Sequence, residues 1–325
     1  MVSPRTQATL LLTARIAESS RDESQPLDVR EWNTLARWLA AKDFAPEDLI
    51  QGDVDTILGD WENTRIEKDR LLTLLDRGHA LAMVVEGWLG SGLWILGRPD
   101  PGYPSRLRER MKESAPPVLF GYGELRSFRN KGVAIVGSRN APDHDLQLAE
   151  DLAQAVSGAG YNVVSGGARG VDDRAATGAF AAEGTVIAVV ADSLVKNAGK
   201  KQYRDRLLRG DLVLTTPYSP EAGFSAGNAM GRNRLIYCLA DAAVAVSSAN
   251  GSGGTFGGAS QNLRQRWVPL WVAPTDDPAS GNPVLVEAGA GWLPSREAFD
   301  IDALFDWPES TSRVDNVVQN SLFSL

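Results

Sequence analysis

Four short segments of this sequence combine glycine with hydroxyl side chains or arginine, and each follows an apolar run. They read GSRNAP, SGGARGVDD, TPYSPEAGFSAGNAMGRNR and SSANGSGGTFGG. Glycines such as Gly166, Gly167 and Gly170 allow several backbone N–H groups to converge on one point, and the positive N-terminal end of a following helix suits an anion there. The segment from Ser252 to Thr255 offers the same chemistry. These residue types therefore predict phosphate binding.

Arginines near the glycine-rich segments would strengthen such a site, because a guanidinium binds phosphate through two parallel N–H bonds. One glycine-rich turn alone could equally serve as a tight corner between a strand and a helix. Two such turns at neighbouring strand ends favour a site for two or more phosphates. The candidate binding residues are Gly137, Ser138, Arg139, Ser165, Gly166, Gly167, Arg169, Gly170, Lys200, Lys201, Arg232, Asn233, Arg234, Ser252, Gly253, Gly254 and Thr255.

A basic segment contributes two of these candidates, Lys200 and Lys201. From Lys196 to Arg209, six lysines and arginines stand against Asp205 alone, a local charge of +5 in a chain whose net charge is −8. The overall acidity argues against a protein that binds nucleic acid over its whole surface. The basic segment itself is open to two interpretations, a solvated helix face or a rim beside a binding groove.

Six apolar runs from Gly132 onward are typical of strands, and helical segments separate them. The runs are GVAIVGS, YNVVSGG, TVIAVVA, DLVLTTP, AAVAVSS and WVPLWVA, and the helix after the fourth run is expected to begin beside Arg232 and Arg234. This alternation predicts the α/β class with a doubly wound, mainly parallel sheet. Ligands of such sheets bind outside the carboxyl ends of the strands, which is where the glycine-rich segments lie.

The N-terminal part of the chain has a different pattern. Its segments DVREWNTLARWLAAKD and RIEKDRLLTLLDRGHALAMVVEGW show apolar residues at helical spacing. A connector rich in proline and glycine follows, where a helix cannot continue. We predict a small helical domain at residues 1–91, a nucleic-acid- or nucleotide-binding α/β domain at residues 92–298 and a short tail at residues 299–325.

The composition excludes several classes of protein. Cys238 is the single cysteine, so no internal disulfide forms, and no apolar run reaches the roughly 18 residues of a membrane span. We therefore expect a cytoplasmic protein without membrane contact. With only His79 and His144 beside that cysteine we expect no structural metal, although a Mg²⁺ site made of carboxylates stays open.

Two nucleotide motifs are absent from the sequence. No G-x-x-x-x-G-K-S/T segment occurs, and the turn after the first strand holds Gly137 alone where a dinucleotide fingerprint needs three spaced glycines. Binding of NAD and hydrolysis of ATP are therefore disfavoured, and we expect no cofactor.

Several motifs together resemble the DprA/Smf family of DNA-processing proteins. They are YPSRLRERMKESAPPVLFGYGEL, VAIVGSRNAP, VVSGGARGVDDRAATGA, GTVIAVV, GRNRLIYCLADAAVAVSS, SGGTFGGA and NPVLVEAGA, in this order. The resemblance implies a Rossmann-like domain of the SLOG superfamily, a homodimer, a positive pocket for single-stranded DNA, and loading of a RecA-type recombinase onto that strand. The residues that it places on DNA phosphates are Ser138, Arg139, Gly166, Arg169, Arg232 and Arg234.

Departures from the family pattern keep an alternative open. Ala176 stands where relatives have a histidine, and from the short segment after residue 299 we expect a member without the winged-helix domain of many relatives. These departures are compatible with a specialised paralogue. Such a protein could sense DNA or nucleotide as a regulator, or act as the antitoxin of a toxin partner, in a phage-defence or toxin–antitoxin system.

An enzyme of the same superfamily is the second alternative. The LOG-type nucleoside monophosphate phosphoribohydrolases carry a glutamate three residues after the threonine of their glycine-rich turn, where this chain has Gly258. Asp172 and Asp173 are expected to cap a helix start rather than to replace that glutamate. We therefore expect no enzymatic activity, and we assign no catalytic residue.

Overall fold

The computed structural model of the chain describes residues 2–15, 25–294 and 300–308. The chain forms two compact units, the first of Met1–Tyr122, Ser193–Lys196 and Thr215–Ala222, and the second of Gly123–Asp192, Asn197–Leu214 and Gly223–Leu325. The predicted domain limit at residues 91 and 92 does not coincide with this division and stays a prediction. Of the predicted tail, residues 299 and 309–325 lie outside the described residues.

The first unit is mainly helical. Its helices are α1 (Pro4–Thr13), α2 (Val29–Ala41), α3 (Asp48–Gln51), α4 (Val54–Ile57), α5 (Lys68–Leu75), α6 (Gly78–Gly90) and α7 (Ser105–Met111). A capping box begins α2, because the Asp28 carboxylate accepts the Glu31 N–H at 2.8 Å and Glu31 accepts the Asp28 N–H at 3.0 Å. Leu35 and Leu39 from α2 pack with Leu71 of α5 in a core from which water is fully excluded.

Two strands of the first unit were not predicted. β1 (Trp94–Gly97) and β2 (Val118–Tyr122) pair antiparallel, with Trp94 opposite Gly121. β2 lies in the connector that the sequence analysis assigned to turns, and β1 comes directly before that connector. Nearby prolines and glycines obscure both of these short apolar runs.

Strands alternate with helices after Gly123. The strands are β3 (Gly132–Val136), β4 (Asn162–Ser165), β5 (Val186–Val189), β6 (Leu212–Thr216), β7 (Ala242–Ala245), β8 (Leu270–Val272) and β9 (Gly291–Trp292). The helices are α8 (Asp143–Gly158), α9 (Val171–Ala181), α10 (Leu194–Ala198), α11 (Lys201–Arg209), α12 (Ala226–Leu239), α13 (Gly253–Gln265) and α14 (Asn282–Glu287). All six predicted strands are present, and β9 is an addition to them.

The sheet has the order β6-β5-β4-β3-β7-β8-β9. β3 pairs in parallel with β4 on one side and with β7 on the other, and β7 pairs in parallel with β8. The α/β class and the mainly parallel sheet are therefore confirmed. Val133, Ala134 and Ile135 of β3 are fully buried, as expected for a strand covered by helices on both faces. The chain runs outward from β3 through β4 and β5 to β6 and then crosses back to β7 on the other side of β3. The topological switch point therefore lies between β3 and β7.

The helix after β6 begins earlier than the sequence analysis expected. It starts at Ala226, where the Ser225 hydroxyl accepts the N–H of Asn228 at 3.0 Å, so Arg232 and Arg234 lie in its middle and not at its start. The glycines at 227 and 231 hid this helix, because glycine is a poor helix former. Within the described ranges, no helix has the length and apolar character needed to cross a bilayer.

Candidate phosphate-binding site

A cavity of about 430 Å³ lies at the switch point of the sheet. The loops that follow β3 and β7 line it, together with side chains of α12 and the first turn of α13. Its position is the one that α/β sheets use for ligands. The predicted residues that line the cavity are Gly137, Ser138, Arg139, Arg232, Asn233, Ser252, Gly253, Gly254 and Thr255.

The loop after β3 fits closely against the SGGARG turn. Gly170 has a φ of +85°, and a Cβ at this position would lie 2.5 Å from the Ser138 carbonyl oxygen. The Val171 N–H donates to the same carbonyl at 3.3 Å. Only glycine allows this approach. Gly170 therefore holds the two loops together, and neither it nor the other predicted residues of its turn, Ser165, Gly166, Gly167 and Arg169, lines the cavity.

The buried carboxylate of Asp172 takes up the donors that were predicted to bind a phosphate. It accepts the backbone N–H of Gly166 at 3.1 Å and that of Ala168 at 3.4 Å. Burial raises the pKa of Asp172, while the positive charge of Arg232 and these two N–H groups act in the opposite direction. The protein's own carboxylate therefore already accepts two N–H groups of this turn, and a phosphate at Gly166 stays a prediction. The sequence analysis expected Asp172 to cap the start of its own helix. The structure shows that it does not.

Arg232 is an interior residue. Its side chain is only 4% exposed, although it lines the cavity, and a Cβ on Gly166 would overlap its guanidinium. The contact of Arg232 with DNA phosphates, which the family resemblance implies, stays a prediction. A buried positive charge next to the cavity still attracts anions, because the surrounding protein screens it less than water does.

The first turn of α13 supplies backbone donors to the cavity. The helix begins at Gly253, and the side chain of its N-cap residue, Ser252, accepts no hydrogen bond from that turn. Asn233 fixes the turn from the neighbouring helix, since its amide donates to the Gly254 carbonyl at 2.9 Å. The N-terminal N–H groups and the dipole of this 13-residue helix favour an anion at this end.

Tyr237 is the cavity residue that the sequence analysis missed. It is 1% exposed and lines the cavity, and its hydroxyl has no hydrogen-bond partner within the described part of the chain. Burial raises its pKa, so the phenol stays protonated and can donate a hydrogen bond. Its position four residues after Asn233, on the same face of α12, is the signal that could have identified it.

Arg139 and Phe224 are exposed residues of the cavity lining. Phe224 is 58% exposed, and the Arg139 guanidinium lies 5.2 Å from the centroid of its ring. This arrangement combines a positive charge with an aromatic surface, the two groups that contact phosphates and bases in single-stranded nucleic acid.

The remaining predicted cations do not line the cavity. Lys200 precedes α11, where its ammonium donates to the Asn197 side-chain oxygen at 2.6 Å and lies 5.8 Å from the centroid of the Tyr203 ring. Lys201 and Arg234, like Lys200, are predicted binding residues that do not line the cavity. Whether the basic segment forms a rim to a binding groove therefore stays a prediction.

The chemistry of the cavity is that of binding. Its lining offers backbone N–H groups, a phenol, hydroxyls and two arginines beside the buried carboxylate of Asp172, and it holds no histidine or cysteine. Among the residues that the structure describes, no three histidine, cysteine, aspartate or glutamate side chains are grouped so as to hold a metal ion. A donor-rich cavity of this kind suits an anion such as phosphate.

A Rossmann-like sheet with a donor-rich cavity at its switch point defines the molecule as an α/β protein with a candidate anion-binding site. The chain belongs to the family of DNA recombination-mediator protein A, which it matches over residues 94–302. This match confirms the resemblance to DprA/Smf proteins.

Relatives of known name or structure agree with this assignment. Protein Smf of Synechocystis is 31% identical over 160 residues, which are 47% of this chain and 39% of the relative, so the chain spans about two fifths of that relative. DNA processing protein A of Streptococcus pneumoniae superposes with a TM-score of 0.65 at 21% identity, over 87% of this chain and 94% of that one. The Helicobacter pylori protein gives 0.52 at 23% identity, over 66% and 94%. These two structures share the fold.

Proposed function

We propose that this protein binds single-stranded DNA in the cavity at the switch point and acts as a non-catalytic DNA-processing factor or recombination mediator. The observation that carries the proposal is the convergence of three groups on one cavity: the open first turn of α13, the Arg139 guanidinium, and the Tyr237 hydroxyl, which no described residue pairs with. Membership of the recombination-mediator family supports it. The Helicobacter pylori relative, whose structure was analysed for its mode of binding single-stranded DNA, supports it as well.

The site suits a strand with weak sequence preference. Backbone N–H groups and guanidinium groups bind phosphates, which carry no sequence information. Phe224 adds an exposed aromatic ring, which accepts any base by stacking. A non-catalytic role agrees with Asp172, because its carboxylate is committed to the N–H groups of Gly166 and Ala168. The homodimer and the RecA-type recombinase as a partner stay predictions from the family resemblance.

A titration of labelled oligothymidylate at about 50 mM and about 200 mM salt tests the proposal. We expect affinity to fall with salt, and Arg139→Ala to reduce the slope of log affinity against log salt by about 1. The melting temperature should stay unchanged, because an exposed arginine contributes little to stability. Arg126→Ala is the matched control, since Arg126 is exposed and lies outside the cavity.

Two results would contradict this function. The first is binding that does not respond to salt, which would point to a ligand other than a polyanion. The second is an Arg139→Ala protein whose affinity for the oligonucleotide equals that of the Arg126→Ala control. A clearly lower melting temperature with unchanged affinity would count in the same way. In that case Arg139 would be a structural residue and the strand would bind elsewhere.

A further inference from the structure

The first unit contains a second cavity, of about 650 Å³, that is lined by positive side chains. We call it the cationic groove. It lies among α1, α2, the residues that follow β1, and the end of α7. Its charged lining residues are Arg5, Arg37, Arg98, Arg108, Lys112 and the single acidic residue Glu113. Arg5 and Arg37 precede residues 94–302, so the groove extends beyond the part of the chain that matches the family.

The positive charge of the groove is largely uncompensated. Arg5 forms an ion pair with Glu47 at 2.8 Å. Within the described residues, no carboxylate lies within 4.0 Å of the other four cations of the groove. Like charges that share one cavity repel one another. A bound anionic ligand would reduce this repulsion. Without such a ligand, the repulsion lowers the stability of the folded protein.

Arg98 is held in place by neutral acceptors. Its guanidinium donates to the Asn33 side-chain oxygen at 2.8 Å and to the Glu113 carbonyl at 3.2 Å. The Asn33 amide in turn donates to the Glu113 carbonyl at 2.6 Å. These bonds fix the position of the guanidinium but leave its full charge in the groove. Since burial lowers the pKa of Arg98, placing this charge here costs free energy.

Lys112 lines the groove in a backbone conformation that favours glycine. Its φ is +49° and its ψ is −124°, directly after α7. A residue with a β-carbon is strained in this region. Glycine would remove the strain, whereas the lysine adds a positive charge to the lining of the groove.

The walls between the cations are apolar. Ala36, Ala40, half-buried Phe44, Pro46 and Pro99 line the groove. Positive groups that alternate with apolar and aromatic surface fit a strand, because the phosphates face the cations while the sugars and bases contact the apolar walls. An acidic peptide would match the charge but would make less use of these walls.

We propose that the cationic groove is a second binding site for single-stranded nucleic acid, formed by residues different from those of the cavity at the switch point. The choice of nucleic acid as the ligand rests on the proposed function of the whole chain. The groove therefore lets one molecule hold two stretches of strand, or two strands.

Calorimetric titration of the full chain with hexathymidylate tests the groove directly. We expect two bound oligonucleotides per chain in the unmodified protein and one in Arg37→Ala/Arg108→Ala, whose remaining site keeps its affinity. Arg30→Ala/Arg65→Ala should bind two, because both of these arginines are exposed in the same unit and neither lines the groove.

Lys112 provides a second measurement that separates binding from folding. Lys112→Gly and Lys112→Ala should weaken the groove site equally, since both remove the ammonium. Lys112→Gly should in addition raise the urea concentration at the unfolding midpoint, because only glycine relieves the strain. A glycine variant that binds as tightly as the unmodified chain would contradict a role for Lys112 in binding.

The outcomes for the two sites are distinguishable. One oligonucleotide per chain, bound more weakly by Arg139→Ala and as tightly by Arg37→Ala/Arg108→Ala as by the unmodified protein, would overturn the groove proposal and leave the proposed function intact. One oligonucleotide per chain with the opposite pattern would support the groove and overturn the site at the switch point. A competition in Arg139→Ala provides the last test, with a glutamate hexapeptide added at a concentration equal to or lower than that of the oligonucleotide. If the peptide displaces the oligonucleotide from the groove, the ligand is an acidic peptide and the proposal is overturned.

Discussion

The Tyr237 hydroxyl lies inside the protein and has no hydrogen-bond partner among the residues that the structure describes. A buried polar group that lacks a hydrogen bond costs about 1–3 kcal/mol. Phenylalanine would fill the same volume without this cost. The hydroxyl lines the cavity beside the first turn of α13, so a phosphate oxygen bound there could accept its hydrogen bond.

Tyr237→Phe should therefore have opposite effects on folding and on binding. We expect the free energy of unfolding without ligand to rise by about 1 kcal/mol, and oligonucleotide binding to weaken by about 1 kcal/mol. Urea unfolding and titration measure the two. Tyr122→Phe is the control, because the Tyr122 hydroxyl is paired with Ser91 at 2.8 Å and its loss should cost about 1 kcal/mol of stability. If both variants are destabilised, Tyr237 has a partner in solution and its proposed role fails.

Asp172 and Arg232 show what the sequence could not reveal about single residues. Both types were identified in the correct segments, but an aspartate near a helix start reads as a cap and an arginine in GRNR reads as an exposed ligand. The structure buries both, at 7% and 4% exposure, and both line the cavity. Burial depends on which elements pack together, and sequence spacing within one segment carries no information about that.

At the scale of elements, the fold of the α/β region was predictable for a physical reason. Parallel strands are covered on both faces, so they appear as continuous runs of valine, isoleucine, leucine and alanine, and all six such runs form strands. The short strands β1 and β2, in a segment rich in proline and glycine, give no such signal. The start of α12 was hidden in the same way, because its first turns contain Gly227 and Gly231.

The turn between β4 and α9 depends on Gly170. We expect Gly170→Ala to destabilise the protein by about 1–3 kcal/mol, since it adds a β-carbon at positive φ against the Ser138 carbonyl. Oligonucleotide affinity should fall as well, because the loop that carries Arg139 must shift. Gly158→Ala, at the end of α8 where a β-carbon meets no atom within 4 Å, should be neutral or stabilise by up to about 1 kcal/mol. Thermal unfolding distinguishes the two, and equal melting temperatures would show that the turn tolerates a side chain.

At the scale of the whole molecule, charge is distributed unevenly. The chain carries a net charge of −8, yet the switch-point cavity and the cationic groove are both lined by positive residues. A negative surface elsewhere repels nucleic acid that approaches at other points, and the positive cavities attract it. The net charge alone disfavours a nucleic-acid ligand. The location of the cations, which are concentrated in the two cavities, favours one.

The extent of the N-terminal unit can be tested in the full chain. Asp100 accepts hydrogen bonds from the hydroxyl groups of Ser3 at 3.0 Å and Thr6 at 2.8 Å and from the Gly97 N–H at 2.7 Å. These bonds tie α1 to residues beyond the predicted domain limit at residue 91. If α1 and this segment unfold together, Asp100→Ala should speed hydrogen exchange in α1, and a loss of about 2 kcal/mol corresponds to roughly 30-fold.

Exchange in α8 of the second unit should be unchanged in Asp100→Ala. Asp60→Ala is the control, because the ion pair of Asp60 with Lys42 is exposed and such pairs contribute at most about 1 kcal/mol. Exchange in α1 that does not respond to Asp100→Ala would mean that the helices are stable without the segment after residue 91. The domain limit at residues 91 and 92 would then hold, and the cationic groove, whose lining includes Arg98, Arg108 and Lys112, would join two separately folding parts of the chain.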